Sequence, residues 1–238
     1  MSDPRFAEKS AAAGAAAARV RPGMTLALGS GTTAELALRA VAARYPDGGG
    51  LRAVASSRAT ERTARALGIP VGSLEEIDRF DLMIDGADEV TERLDLTKGG
   101  GGALFREKLL ALRSREVVIA ADATKLVRRL GERMPIPVEV VPFARPALLR
   151  DLAAAGWAPR LRVAEISGRP ALTDNGNELL DLHLPEPTAD PAGLDRRLKA
   201  ITGVVETGIF VGIAHRLLLG RPDGSVAERT APGAPGKP

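Results

Sequence analysis

The stretch TLALGSGTTAELALRAVAAR, residues 25–44, decides the predicted fold. Thr25–Leu28 is mostly apolar and predicts a short strand, and Gly29-Ser30-Gly31 predicts the turn that ends it. Thr33–Arg44 then predicts a helix. A strand, a glycine turn and a helix in this order form the first half of a βαβ unit, from which parallel sheets are built.

Further strands and helices alternate through the first half of the chain. The predicted strands are Leu51–Ala55, Phe80–Ile84 and Glu116–Ala120. Polar residues stand where these strands end, among them Ser57, Asp85 and Asp122. Open α/β sheets bind ligands at the carboxyl ends of their strands, so we expect a site at that edge.

The second half of the chain predicts a βαββαβ pattern of the ferredoxin-like kind. Its elements are Val138–Val141, Pro146–Ala155, a strand around Arg160–Ala164, Glu178–Leu184, Leu194–Ala200 and Val204–Phe210. The last apolar run, Ala214–Leu219, predicts a strand that returns to the first sheet. We expect the Pro- and Gly-rich tail from Pro222 to be frayed.

Composition excludes several classes of function. The 238 residues include no cysteine, which rules out disulfides, thiolate catalysis and Cys-ligated metals. No apolar run is long enough to span a bilayer and no signal peptide is apparent, so we expect a cytoplasmic protein without a membrane partner. The net charge is +3, but aromatic residues are only 3% and the arginines are scattered, which disfavours nucleic-acid binding. A small anionic substrate suits this balance.

The turn Gly29–Ala34 is a candidate phosphate cradle, because the N–H groups at a helix start attract anions. The hydroxyls of Ser30, Thr32 and Thr33 add donors. The same letters fit the G-x-G-x-x-A dinucleotide fingerprint, but a ribose site favours an acidic residue at the next strand end, where this chain has Ser56-Ser57. The pattern therefore favours a monophosphate, and a purely structural turn is the third interpretation.

The acidic loop Asp85-Gly86-Ala87-Asp88-Glu89 packs three carboxylates at a strand end. We expect Asp85 and Asp88 to point at one site, where mutual repulsion raises a carboxyl pKa. A polar loop with a capping Asp is the alternative. A metal site is disfavoured because the only histidines, His183 and His215, are distant in sequence.

The run Lys98-Gly99-Gly100-Gly101-Gly102 is the most informative motif. Each Gly costs roughly 0.5–1 kcal/mol relative to Ala when ordered in regular structure, so four in succession indicate a specific need. Close approach of the backbone to a ligand meets that need better than a flexible linker does.

The helix that follows carries Glu107 as a candidate base. At about 100° per residue, Arg106 and Arg113 fall on one side, while Glu107 lies between Ala103 and Ala111. This apolar stripe predicts a partly desolvated carboxylate with a raised pKa, as a base needs near neutral pH. A solvated charged face is the alternative.

Lys125 follows the strand end at Asp122. It either closes the phosphate site as a point charge or is a solvated loop lysine, and the sequence favours neither. Lys9 lies in an alanine-rich predicted helix.

Together these segments resemble the type A ribose-5-phosphate isomerases. The matching segments are Gly29–Ala34, Ser56-Ser57, Asp85–Glu89, Lys98–Lys108, Asp122–Lys125, Pro137–Val140, Thr173–Asn177 and Val204–Phe210. The resemblance implies a Rossmann-like, mostly parallel α/β domain of residues 1–131 plus 208–238. It also implies a smaller ferredoxin-like α/β domain of residues 132–207, a homo-oligomer (dimer or tetramer), and neither metal nor cofactor.

By position, the resemblance implies that Glu107 is the catalytic base and that Asp85, Asp88 and Lys98 assist catalysis. The residues implied to bind substrate are Ser30, Gly31, Thr32, Thr33, Asp85, Gly86, Ala87, Asp88, Lys98, Gly99, Gly100, Gly101 and Lys125.

The implied activity interconverts ribose 5-phosphate and ribulose 5-phosphate through an ene-diolate, in the non-oxidative pentose phosphate pathway. The alternative from another class is a sugar-phosphate-sensing effector domain of a transcription regulator. The few residues before Thr25 disfavour it, because a helix-turn-helix module needs more. An NAD-dependent dehydrogenase is the third hypothesis.

Overall fold

The computed structural model describes residues 3–232 and 234. The helices in this part of the chain are α1 Phe6–Ala17, α2 Thr32–Arg44, α3 Arg58–Ala66, α4 Leu104–Leu112, α5 Arg145–Ala154 and α6 Pro191–Lys199, with 3-10 turns at Ala123–Lys125 and Pro142–Ala144. The strands are β1 Thr25–Leu28, β2 Arg52–Ala55, β3 Phe80–Asp85, β4 Glu89–Val90, β5 Leu96–Thr97, β6 Ser114–Asp122, β7 Ile136–Val140, β8 Ala158–Leu161, β9 Glu178–His183, β10 Val204–Thr207, β11 Ile209–Phe210, β12 Arg216–Gly220 and β13 Val226–Thr230. No helix among these described residues is long and apolar enough to cross a membrane.

The chain divides into two compact units. The first comprises Met1–Ala87, Arg106–Leu126 and Gly212–Pro238, and the second comprises Asp88–Phe105 and Val127–Val211. This division differs from the predicted residues 1–131 plus 208–238 and 132–207, chiefly because Asp88–Phe105 joins the second unit. Contacts with residues 132–207 explain the difference, since Glu89 in that segment accepts hydrogen bonds from the N–H groups of Arg133 and Met134, and a Cβ at Gly99 would lie 3.3 Å from Cβ of Pro137.

The first unit is built on a six-stranded sheet in the order β13-β12-β6-β3-β1-β2. All neighbours are parallel except β13, which is antiparallel to β12. The central strand β6 is buried from Glu116 to Asp122, as expected where a parallel sheet is covered on both faces. Its core includes Ala16, Leu26, Leu38, Leu82 and Val118. The predicted mostly parallel α/β fold is confirmed.

The last strands of the chain complete this sheet. β12 pairs in parallel with β6, which confirms that the run Ala214–Leu219 returns to the first sheet. The expected fraying from Pro222 is wrong for Val226–Thr230, because β13 pairs with β12 over five residue positions. The remainder of that prediction falls partly on residues 233 and 235–238, outside the described residues.

The second unit contains a four-stranded antiparallel sheet in the order β10-β7-β9-β8. With α5 and α6 this is the ferredoxin-like βαββαβ arrangement that the sequence predicts. Its core includes Ile136, Val138, Val140, Leu148 and Leu198. Because side chains alternate along a strand, Pro137 and Glu139 lie on the opposite face of β7.

The predicted strand Val204–Phe210 is divided at Gly208. β10 pairs with β7, whereas β11 joins β5 and β4 in a separate three-stranded sheet. A Cβ at Gly208 would lie 2.1 Å from the carbonyl oxygen of Lys98. Only glycine fits where the chain passes so close to another backbone segment.

Candidate active site

Polar residues of the first unit follow three neighbouring strands at one edge of the sheet. Ser30 comes just after β1, Asp85 ends β3 and Asp122 ends β6. These strands are parallel neighbours, so their carboxyl ends meet at the same edge. The expectation that the strand-end residues gather there is confirmed for these three.

Glu107 lies in α4 and contacts the glycine turn. Its Oε1 accepts a hydrogen bond of 2.6 Å from Oγ of Ser30. The residue is only 3% exposed, and Leu110 and Ala111 on the same helix are buried, whereas Arg113 is exposed. The predicted burial of Glu107 on the apolar side of the helix is therefore confirmed.

Asp85 is fully buried beside the same turn. Its Oδ1 accepts hydrogen bonds from the N–H groups of Ser30 at 3.1 Å and Gly86 at 2.8 Å. A Cβ at Gly29 would lie 2.2 Å from both Cγ and Oδ1 of Asp85. Gly29 is thus required by the close approach of a carboxylate, a reason that the motif alone did not reveal.

The start of α2 has the features predicted for a phosphate cradle. Gly31 precedes the helix at a φ of 86°, in the left-handed region, and the N–H groups of the first turn follow from Thr32 onward. Nζ of Lys9 lies 3.5 Å from Oγ1 of Thr32 and 2.7 Å from Oδ2 of Asp3. Thr33 is also close to the acidic loop, since a Cβ at Gly86 would lie 3.9 Å from its Cβ. A cation, hydroxyls and a helix start therefore lie together here.

Lys125 ends the 3-10 turn that follows β6 and is half-buried. The side chain of Asp122 caps this turn by accepting a hydrogen bond of 2.9 Å from the N–H of Thr124. Asp122 thus has a structural role, and the phosphate contact of Lys125 stays a prediction.

The second unit contains the remaining predicted site residues. The N–H of Gly100 donates to Oδ2 of Asp88 at 2.7 Å, and a Cβ at Gly100 would lie 2.7 Å from Oδ1 of Asp88. Lys98 is 4% exposed, with Nζ 5.7 Å from the centroid of the Phe210 ring. Gly99 has a φ of 101°. Gly99 and Gly100 are therefore required by the local backbone conformation and packing, independently of any ligand.

The acidic loop crosses the boundary between the units. Asp85, Gly86 and Ala87 belong to the first unit and Asp88 to the second. That Asp85 and Asp88 act at one site stays a prediction.

Glu89, the third carboxylate of that loop, has a structural role within the second unit. It is 1% exposed and accepts four hydrogen bonds. The donors are Oγ1 of Thr97 at 2.9 Å and the N–H groups of Gly131 at 2.7 Å, Arg133 at 2.7 Å and Met134 at 3.0 Å. Because three of these donors are backbone N–H groups of residues 131–134, the carboxylate of Glu89 holds the loop before β7 in place.

The pair Ser56-Ser57 follows β2 and precedes α3. Ser57 is the N-cap of α3, where its Oγ accepts a hydrogen bond of 3.0 Å from the N–H of Thr60. Ser56 is fully buried. Ser57 therefore caps the helix that follows the strand.

Within residues 3–232 and 234, no group of three or more His, Asp or Glu side chains is arranged so that it could hold a metal ion. The prediction of neither metal nor cofactor rests on the resemblance and stays a prediction.

Comparison with known proteins decides the family. The family model for ribose 5-phosphate isomerase A (phosphoriboisomerase A) matches residues 52–224. The chain belongs to the ribose 5-phosphate isomerase A family. A member from Thermomicrobium roseum is 48% identical over 217 residues, which cover 91% of each chain. One from Chloroflexus aurantiacus is 46% identical over 218 residues, 91% of this chain and 90% of its own.

Solved structures agree with this assignment. Ribose 5-phosphate isomerase A from Methanocaldococcus jannaschii has a TM-score of 0.88 at 35% identity, covering 93% of this chain and 97% of its own. A D-ribose-5-phosphate isomerase in complex with phospho-erythronic acid has a TM-score of 0.89 at 32% identity, with the same coverage. Family membership supports the isomerase interpretation over the regulator and dehydrogenase hypotheses.

Proposed function

We propose that this protein interconverts ribose 5-phosphate and ribulose 5-phosphate, a step of the non-oxidative pentose phosphate pathway. The observation that carries the proposal is the buried Glu107 carboxylate, held at 2.6 Å by Ser30 beside a phosphate-type turn, in a member of this family. A buried carboxylate next to an anion cradle is what proton transfer on a phosphorylated sugar requires.

The phosphate binds at the start of α2 in this proposal. The N–H groups and hydroxyls of Thr32 and Thr33, the backbone at Gly31 and the charge of Lys125 hold it. Ser30 differs from the others, because its hydroxyl is already donated to Glu107. Its contribution is therefore to orient the base, and its N–H is held by Asp85.

Glu107 moves the proton. Its carboxylate removes the proton from C2 of the aldose, the electron pair forms the C1–C2 double bond, and the carbonyl oxygen becomes an oxyanion. A proton passes from the C2 hydroxyl to the C1 oxygen, and Glu107 returns its own proton to C1. The product is the ketose, and atoms and charge balance without a cofactor.

The remaining residues bind and polarise the sugar. Asp85 and Asp88 assist ring opening, and the backbone of Gly86 and Ala87 lines the same part of the substrate. Lys98 and the N–H groups of Gly99 and Gly101 stabilise the ene-diolate oxygen, where fixed donors contribute most to the rate. The N–H of Gly100 is instead donated to Asp88.

The experiment is direct. The purified protein is incubated with ribose 5-phosphate in excess chelator, and formation of the ketose is followed. Formation of the ketose in chelator supports both the proposed isomerase activity and a reaction that needs no metal. No ketose with or without divalent metal would sink it, and retarded DNA in a mobility-shift assay would then favour the regulator hypothesis. Phospho-erythronic acid, found bound to a similar enzyme, should compete with the substrate.

We further propose a homodimer or tetramer and a cytoplasmic location. The first follows from the family resemblance, and the second from the cysteine-free composition. Light scattering at two protein concentrations tests the first, and fractionation of the source cells tests the second.

A further inference from the structure

The glycine run of the second unit is held by an arginine that the proposed mechanism does not use. Arg162 follows β8, and its Nη1 donates to the carbonyl oxygens of Gly99 at 2.9 Å and Gly100 at 3.1 Å. One guanidinium nitrogen therefore binds two successive peptide carbonyls of the run.

Asp181 fixes that guanidinium in place. Nε of Arg162 donates to Oδ2 of Asp181 at 2.9 Å, and Nη2 donates to Oδ1. A two-pronged arginine–carboxylate pair sets orientation as well as distance. Asp181 lies in β9, paired on both sides by β7 and β8, and the two side chains are only 20% and 19% exposed. The sheet thus holds the arginine, and the arginine holds the glycine run.

Because the peptide group is planar, fixing the direction of a carbonyl also fixes the direction of the N–H in the same peptide group. In a trans peptide, C=O and N–H point in opposite directions. The C=O of Gly99 faces Arg162, and the N–H of Gly100 accordingly faces the other way, to Asp88 at 2.7 Å. By the same geometry, the C=O of Gly100 faces Arg162 and the N–H of Gly101 points away from it. Gly101 is an exposed residue, so this peptide group lies at the surface of the second unit.

We propose that Arg162 is a positioning residue that orients the N–H of Gly101 toward the ene-diolate oxygen, with Asp181 holding the arginine. The inference rests on the proposed function. The positive charge on the carbonyl side also polarises the Gly100–Gly101 peptide group, which strengthens its N–H as a donor. Neither Arg162 nor Asp181 touches the reacting atoms.

Steady-state kinetics of Arg162→Met test the proposal. Arg169→Met is the matched control, because Arg169 is an exposed arginine in the same connection between β8 and β9. Loss of a fixed donor to the oxyanion acts on the transition state. We expect kcat to fall about 10- to 100-fold while KM changes less than about 3-fold. Arg162→Lys keeps the positive charge but lacks the guanidinium group that donates through several nitrogens. Its kcat should lie between those of Arg162→Met and the wild type.

A double variant separates positioning from plain stabilisation. Arg162→Met with Asp181→Leu removes the ion pair without leaving a carboxylate unpaired, and such replacements are often neutral for stability. The melting temperature should recover in the double variant while kcat stays low. Recovery of kcat would show that Arg162 serves only as the partner of Asp181 and would overturn the inference.

Amide hydrogen exchange separates failure of this inference from failure of the proposed function. If the wild-type protein does not isomerise ribose 5-phosphate, the proposed function fails and the inference that rests on it is overturned too. If the wild type is active, exchange in residues 98–102 should rise in Arg162→Met and stay unchanged in Arg169→Met. An active wild type with unchanged kcat and unchanged exchange in Arg162→Met would overturn the inference alone.

Discussion

Oγ of Ser30 donates a hydrogen bond of 2.6 Å to Oε1 of Glu107, across a separation of 77 positions in the chain. The N–H of the same serine donates to Oδ1 of Asp85 at 3.1 Å. One residue of the glycine turn thus contacts two buried carboxylates, those of Asp85 and Glu107. The turn therefore organises the proposed base as well as the anion cradle.

Replacing Glu107 with glutamine should abolish most turnover. The amide keeps an oxygen that accepts from Ser30 but cannot take a proton, so kcat should fall about 10²- to 10⁴-fold with little change in KM. Initial rates with ribose 5-phosphate measure this. Glu61→Gln, on the exposed side of α3, is the control and should retain full activity. Near-normal turnover of Glu107→Gln would remove the residue from its role as base.

Two serine-to-alanine variants should separate activity from stability. Ser30→Ala removes the hydrogen bond to Glu107 and should lower kcat about 10- to 150-fold, given about 1.5–3 kcal/mol for a bond to a charged group. Ser57→Ala removes the cap of α3, which should cost about 1 kcal/mol and leave kcat within about two-fold. Kinetics and thermal melting on both variants give the comparison, and the reverse pattern would contradict these assignments.

Gly29→Ala should destabilise the protein and displace Asp85. The added Cβ would lie 2.2 Å from the Asp85 carboxyl group, and we expect overpacking to cost about 1–3 kcal/mol. Gly14→Ala is the matched control, because Gly14 is exposed within α1 and a Cβ there meets no described atom within 4 Å. It should stabilise the protein by about 0.5–1 kcal/mol. Urea unfolding measures both, and equal effects would refute the steric account.

Glu89→Gln should weaken the fold by at least about 2 kcal/mol. A glutamine offers one acceptor oxygen where four donors converge, and each buried donor left without an acceptor costs about 1–3 kcal/mol. Urea unfolding gives the free-energy change. Glu132→Gln, at an exposed position of the neighbouring loop, should change stability by less than about 0.5 kcal/mol. Similar losses in both variants would argue against a structural role for Glu89.

His215 should make stability depend on pH below about 6.5. Burial lowers the pKa of His215 below its usual 6.5, against a smaller opposing effect of Glu116, and Arg216 lowers it further. Its Nδ1 accepts a hydrogen bond of 2.9 Å from the N–H of Val117, which requires the unprotonated nitrogen. The unfolded chain therefore binds a proton near pH 6.5 while the folded protein resists it. Stability falls as the pH drops from 6.5 towards the lower folded pKa, and is unaffected by this group above 6.5.

Unfolding free energies at pH 7.5 and 5.5 test this, with His215→Gln compared with the parent protein. The His215 variant should lose less stability on acidification than the parent. Equal pH dependence in the two proteins would contradict the assignment.

Local signals predicted most of the fold. The boundaries of β1 agree with those read from the apolar run before Gly29, because strand, turn and helix are set by neighbouring residues there. The βαββαβ order was equally readable, since each element has its own periodicity. The split at Gly208 was not, because it arises from contact with the carbonyl of Lys98, which lies far away in the chain.

The same distinction holds for the candidate site. The helical wheel predicted burial of Glu107, since burial follows from apolar neighbours one turn away. The roles of Glu89 and Ser57 were not predicted, because an acidic residue or a serine at a strand end has the same appearance whether it binds substrate or caps a loop. No pattern in the sequence distinguishes Arg162 from the many other arginines of the chain.

The sequence by itself determined the types of residue present at the strand ends and the turns that present them, because periodicity and glycine placement act over a few residues. Only the tertiary structure decided which donor meets which acceptor. Ser30 meets Glu107, and Arg162 meets the glycine run, because strand order and side-chain packing bring distant segments within hydrogen-bond distance. A hydrogen bond depends on tenths of an ångström, and no local pattern encodes that distance.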